Sequence, residues 1–224
     1  MDMWRGGCAG LCWVWVCCSW GCVQRTVIRP DGGHALGKHR LTLYWIPRQR
    51  KFRPQVALFA GNRRVAWVSS RFSRRLRMQG TGRLLNGLLV QYAGRCRPAH
   101  RTCMLVRVIN RRRYPHGVGA MGIALRPFRS VAVGRGHIRL GTRLYIPALR
   151  RLLRRSGMRH RGCFRAHDRT GRKYRRSIDL FVGNQRLFRR YVKGRLPRYV
   201  RVYVAHPRCR RKRRKMAHVE LTLP

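Results

Sequence analysis

The apolar residues of this chain come in short runs, each cut off by turn residues or by a cluster of arginines. Leu41–Ile46, Val56–Phe59, Val65–Val68, Leu84-Leu85 and Leu88–Val90 are separated by Pro47, Gly61-Asn62 and Asn86-Gly87. Further on come Ser130–Val133, Ile138–Pro147, Ile178–Val182 and the cleanly alternating Pro197–Ala205. Runs of this length, bounded by Gly, Pro and Asn, predict β-strands, and the chain therefore reads as all-β. The exception is Phe72–Met78, whose arginines predict a short helix.

Charge is the second constraint. The 224 residues include 54 Lys and Arg but only 5 Asp and Glu, a net charge of +49. A hydrophobic content of 44% is nevertheless enough for a packed core, which excludes a disordered polycation. Such a surface attracts any polyanion, whether nucleic acid, anionic lipid or acidic wall polymer, and charge alone does not choose among them. The acids are Asp2, Asp31, Asp168, Asp179 and Glu220. A chain that has lost nearly every carboxylate but holds two within one short segment points to their use there. The competing reading is that each pairs with a neighbouring Arg and fixes a loop.

Residues 1–25 carry one early Arg and an apolar block too short for a comfortable membrane span, which reads as an export signal. Cys22 is a possible acylation point for membrane attachment. Residues 26–40 read as a linker. Four cysteines remain in the body, Cys96, Cys103, Cys163 and Cys209, an even number that suggests two disulfides in an exported domain. Cys96 with Cys103 is the natural local pair, leaving Cys163 to tie to Cys209. A zinc site is disfavoured because no C-x-x-C or closely paired Cys/His set occurs, so no metal ligands and no cofactor are assigned.

The segment 127–183 contains S-V-A-V (130–133), G-T-R-L-Y-I-P (141–147), then H-D-R-T-G (167–171) and I-D-L-F-V (178–182). It resembles the three-aspartate (3D) domain of the membrane-bound lytic transglycosylase A family. Asp168 and Asp179 fill the second and third aspartates of that pattern at the family's spacing. The first falls on Gly134, and the family's A-I-K-G turn is replaced by Arg172-Lys173-Tyr174-Arg175. Upstream, Gln79-Gly80-Thr81-Gly82 and Tyr92-Ala93-Gly94 are similar to a Q-G-S-G element and a later Y-A-G of the same family. The resemblance covers roughly 41–207.

What the resemblance implies is a double-psi β-barrel over 127–207, a smaller β region over 41–126 and a basic tail over 208–224. It implies cleavage of the N-acetylmuramic acid–N-acetylglucosamine bond of peptidoglycan glycan strands with a 1,6-anhydro product. It places the chain in the bacterial periplasm or at the outer membrane. By motif position Asp179 is the acid/base and Asp168 orients or tunes it. Gln79, Gly80, Thr81 and Tyr92, with Thr170 and Gly171, line the glycan groove. His116, His137, His160 and His167 read as solvated and receive no role.

Physical chemistry sets a tension against that reading. A general acid needs a raised pKa, whereas cations stabilise its ionised form. Arg172, Lys173, Arg175 and Arg176 lie between the two aspartates and would depress Asp179 if they faced the cleft. With Gly134, this leaves a second hypothesis, a non-catalytic basic barrel that binds wall glycan or another polyanion. A nucleic-acid-binding role is a third, weakened by the lack of a stacking or reading motif.

Overall fold

Strand alternation decides the architecture, because each strand has one face to bury and one to spend elsewhere. The computed structural model describes residues 32–51, 53–96, 102–171, 175–192 and 196–210. The expected export segment at 1–25, Cys22, Arg172, Lys173 and the tail beyond 210 lie outside the described residues.

Eleven strands and three short helices are present among the described residues. Strand β1 (His34–Tyr44) opens the fold. The next five strands are β2 (Val56–Ala60), β3 (Arg63–Val68), β4 (Thr81–Arg83), β5 (Leu89–Arg95) and β6 (Cys103–Ile109). Between β3 and β4 lies helix α1 (Ser70–Gln79). Then follow β7 (Ser130–Val133), β8 (Arg143–Tyr145), helix α2 (Pro147–Arg155), β9 (Cys163–Arg169) and β10 (Ser177–Phe181). Helix α3 (Gln185–Val192) and β11 (Tyr199–Val204) complete the order.

Six strands close a barrel in the order β1-β10-β7-β9-β8-β11, and the other five form a sheet in the order β3-β2-β6-β5-β4. The barrel contains two parallel pairs, β1 with β10 and β7 with β9, and its remaining pairs are antiparallel. The all-β, double-psi barrel expectation holds.

Its boundaries differ from the expected ones. Residues 34–40, expected as linker, and 41–44, expected in the N-terminal β region, are one strand of the barrel. The reason is closure: β10 and β11 both pair with β1, and without it the sheet would stay open with two bare edges. The five-stranded sheet is therefore an insertion between β1 and β7. The supposed tail also begins later, since Cys209 is buried in a short 3-10 turn against the barrel.

The barrel interior is filled by Leu41, Val131, Val133, Leu144, Phe164, Ala166, Ile178, Leu180, Val200 and Val202. The sheet has its own core, in which Phe72 and Leu76 of α1 cover Val56, Leu58, Val90 and Val106. Helix α1 confirms the expectation over 72–78 and is capped by the Ser69 hydroxyl, which accepts the Phe72 N–H at 3.2 Å. Helices α2 and α3 were not expected. Pro147 starts α2, and Leu149 and Leu153, one turn apart, bury its apolar side. Asn184 Oδ1 accepts the Leu187 N–H at 2.9 Å and begins α3, whose Leu187 and Phe188 pack on the barrel core.

A third cluster joins the two bodies. Tyr44, Ile46, Ala132 and Phe181 on the outside of the barrel meet Leu89 and Ile109 of the sheet and Leu125 of the connecting loop. Both expected disulfides are formed, Cys96–Cys103 and Cys163–Cys209. The second spans 46 residues of sequence and fastens the 3-10 turn to β9. Restricting a loop of that size in the unfolded chain stabilises by about 4 kcal/mol. The double variant Cys163→Ser/Cys209→Ser is expected to lower Tm by roughly 10 °C in a non-reducing melt. A shift under about 2 °C would show that the bridge contributes little.

Candidate active site

Ile178 and Leu180 enter the barrel core, so Asp179 between them must point out of it, as Phe181 does. Along one row across four strands, Thr42 of β1 faces Asp179 of β10, Asp179 faces Ala132 of β7, and Ala132 faces Asp168 of β9. The two carboxylates thus share one face, two strand spacings apart, roughly 10 Å between Cα atoms. Ala132 is the residue between them, and its small side chain leaves the space above it to the aspartates.

Asp168 reaches this row through a bulge. Val131 pairs with Ala166, but the next residue, Ala132, pairs with Asp168, so His167 is the extra residue. Regular pairing would have put His167 in the row instead. The His167 ring is taken up by the Ser130 hydroxyl at 2.8 Å (Nδ1 to Oγ).

Asp168 is well held. Its Oδ1 accepts the Arg169 N–H at 2.8 Å, and the Tyr44 hydroxyl donates to its Oδ2 at 3.5 Å. The Ala120 N–H also favours its charged form. That loop comes close because residue 119 is glycine: a Cβ there would lie 2.1 Å from the His167 carbonyl oxygen. Burial raises the Asp168 pKa, and these three donors oppose the rise.

Asp179 differs. Burial first, and the negative charge of Asp168 second, push its pKa up to about 6, with Arg40 on the neighbouring strand pulling the other way. Both carboxyls are raised by burial, but Asp168 has hydrogen-bond donors that favour its charged form, whereas Asp179 has the negative charge of Asp168 against it. Of the intervening cations only Arg175 and Arg176 are among the described residues. Arg175 and Arg176 are exposed, and the cation that acts on Asp179 is Arg40, from a strand more than a hundred residues away in sequence.

Other expected residues have structural tasks. Gln79 Oε1 accepts the Trp45 N–H at 3.0 Å, linking α1 to the end of β1. Gly80 ends α1 at a φ of 78°, and its carbonyl accepts the Tyr92 N–H at 2.8 Å. Thr81 is buried and contacts the loop near Gly117, while Tyr92 packs on the core of the sheet. The Thr170 hydroxyl accepts from Ser177 Oγ at 3.2 Å, and Gly171 is exposed beside it.

Two of the four histidines expected in solvent are buried. His160 Nε2 lies 2.8 Å from the Phe128 carbonyl, and burial lowers its pKa to about 4. His167 is likewise buried with a lowered pKa, because burial and the nearby Arg165 and Arg126 disfavour its charged form. The space allowed them inside is what the sequence pattern concealed. Tyr44, Ala120 and Arg40 were missed as site residues. Tyr44 alone had a sequence signal, being a polar aromatic placed between the inward Leu43 and a Trp.

Gly134 stands where the resembling pattern has its first aspartate. Its carbonyl accepts the Arg169 guanidinium at 3.1 Å, and the same nitrogen donates to the Ile138 carbonyl at 2.8 Å. The position thus fastens Arg169 through main-chain oxygens rather than through a carboxylate.

A cavity of about 560 Å³ does not lie over the aspartates. It begins beyond the ends of the same two strands, bounded by Trp45–Arg50 after β1 and Gly183–Arg186 after β10.

No family model matches the sequence, and no curated protein matches it. Solved structures do. The membrane-bound lytic murein transglycosylase of Agrobacterium tumefaciens aligns over 78% of this chain and 77% of that one, at 13% identity and a TM-score of 0.53. E. coli MltA with bound chitohexaose aligns over 75% of this chain and 71% of that one, at 14% identity and a TM-score of 0.50. At such identity the likeness is one of fold: this chain has an MltA-like barrel and sheet.

The raised pKa has a measurable consequence for stability. A folded carboxyl near 6 against an ordinary 3.8 favours the native state fully below 3.8, and that contribution is lost as pH rises through about 6. At pH 8 the ionised Asp179 therefore costs on the order of 2–3 kcal/mol. Asp179→Asn is expected to raise Tm by several degrees at pH 8 and to change it little at pH 4. Equal shifts at both pH values would contradict the assigned pKa.

Proposed function

We propose that the chain is a peptidoglycan lytic transglycosylase, cleaving the bond between N-acetylmuramic acid and N-acetylglucosamine with a 1,6-anhydro product. The observation that carries this reading is the aspartate row, in which a carboxyl held near pKa 6 faces outward beside a second, hydrogen-bonded carboxyl. The MltA-like fold supports it.

In this reading Asp179 acts alone as acid and then base. Its proton goes to the glycosidic oxygen as the C1–O bond breaks. The carboxylate left behind takes the proton of the C6 hydroxyl, whose oxygen forms the new bond to C1. No water is consumed, and Asp179 is protonated again at the end. Asp168, whose charged form is favoured by hydrogen bonds from Tyr44, Arg169 and Ala120, steadies the positive charge that develops at C1. The chain works outside the cytoplasm against the cell wall of a bacterium, with residues 1–25 directing export or attachment.

A second reading is a barrel that binds wall glycan without cleaving it, favoured by Gly134 in place of the first motif aspartate. Incubation with purified peptidoglycan separates the two. Mass spectrometry is expected to find anhydro-muropeptides released by the parent chain, with release falling about 10²–10⁴-fold in Asp179→Asn. The rate should also fall about tenfold per pH unit above 6, since the acid must be protonated. Wall binding with no Asp179-dependent release would favour the second reading.

A further inference from the structure

The cavity beyond the strand ends is lined by Arg48, Arg50, Arg75, Arg83 and Arg186, together with Trp45. A second depression of about 250 Å³ shares Arg48, Arg50 and Arg75 with it and continues toward Arg71 and Arg189, so the two form one basic groove. A chain this rich in arginine has cations on every face, but this set is gathered into a concavity. The other described acids do not relieve it, because Asp168 and Asp179 are the only two and neither lines the groove. Arg83 shows the cost: burial, Arg111 and Arg48 all push its pKa down.

The groove is in line with the aspartate row. Strand β1 carries Tyr44 and then runs into Trp45 and Arg48, and β10 carries Asp179 and then runs into Gly183 and Arg186. Four residues of extended chain separate Asp179 from Gly183, roughly 13 Å. Trp45 is braced by Phe188, with ring centroids 5.9 Å apart and planes at 15°, and forms a fixed wall on that side.

A ligand held at both places must be uncharged or weakly charged at the reacting sugar and anionic about 13 Å away. In the intact wall strand the lactyl carboxyl of each muramic acid is tied up in the amide to its peptide, so the sugar backbone itself is neutral and gives five guanidinium groups no counter-charge. Wall glycan bears short peptides on its muramic acid residues, and those peptides end in and carry free carboxylates, which arginine recognises by paired hydrogen bonds. We propose that the Arg48–Arg186 groove is a subsite for the carboxylate-bearing peptide stems of the wall strand. This rests on the glycan-cleaving reading, and it makes the substrate the stem-bearing strand rather than bare glycan.

Binding by the full chain carrying Asp179→Asn, which leaves strands intact, provides the test. The probes are soluble stem-bearing glycan strands, the same strands with their stem carboxylates capped as amides, and a phosphodiester polymer of similar charge. Stem-bearing strands are expected to bind at least tenfold more tightly than capped ones at low salt. Arg48→Gln/Arg83→Gln/Arg186→Gln is expected to remove that preference. Arg150→Gln/Arg154→Gln/Arg159→Gln, placed around a different depression, is expected to keep it. Equal affinity for capped and uncapped stem-bearing strands would overturn the proposal. So would loss of the preference in both triple variants, which would mean general charge, or tighter groove-dependent binding of the phosphodiester polymer. Asp179-dependent release of anhydro products from capped strands is measured separately with the parent chain. Its absence would bear on the cleavage reading and not on the groove.

Discussion

Strand β10 can bury Ile178 and Leu180 only by sending Asp179 and Phe181 to the other side. That constraint organises the site. Phe181 joins Tyr44 at a centroid distance of 5.0 Å and helps seal the seam between barrel and sheet. Asp179, two residues earlier on the same face, is thereby brought against an apolar junction rather than into open water. The desolvation that raises its pKa is thus a by-product of joining two β bodies. A barrel without the inserted sheet would present the same row of residues to solvent, and the carboxyl would lose the main reason for holding its proton.

The same seam shows why an extremely basic chain can still keep a protonated carboxyl. A cation lowers a neighbouring pKa only where it is close and poorly screened. Most arginines here are exposed, and several find partners other than carboxylates. Arg165 donates to the Gly141 carbonyl at 3.1 Å and Arg143 to the Cys209 carbonyl at 3.2 Å. Arg113 lies 5.3 Å from the Tyr114 ring and Arg190 5.2 Å from the Tyr191 ring. Carbonyls and aromatic faces do locally what salt bridges do in an ordinary protein. Arg40 is the exception that touches the electrostatics of the site, and burial with Asp168 outweighs it at Asp179.

Much of this was legible in the sequence, because period-two alternation is readable even where arginine fills many outward positions: the inward ones remain apolar. Asp168 and Asp179 stood out because so few other acids compete for attention. What the sequence concealed was long-range. Residues 34–44 look like linker and an isolated apolar run until β10 and β11 are seen to need a strand between them. Tyr44, Arg40 and Ala120 act on aspartates that are 48 to 139 residues away in sequence. Helices α2 and α3 were hidden because arginine occupies their solvent sides, where the usual mixture of both charges marks an amphipathic helix. Gln79 and Tyr92 were read as groove residues from their motif; the structure adds that Gln79 Oε1 accepts the Trp45 N–H and that the Tyr92 main-chain N–H donates to Gly80.

Gly134 is the sharpest departure from the resembling pattern, and the structure limits what its loss of charge can mean. The position lies just past the end of β7, and it holds Arg169 through a carbonyl that any residue would supply. Arg169 in turn gives its own N–H to Asp168. A carboxylate at 134 would add charge beside that guanidinium, but the backbone geometry that supports Asp168 does not require it. Positioning of the pair is therefore separable from the missing acid. What the missing acid would have added is a further negative charge near the row, and its absence leaves Asp168 as the carboxylate that raises Asp179. A site with two carboxyls can still give them unequal proton affinities, because that difference comes from unequal hydrogen bonding and burial rather than from their number.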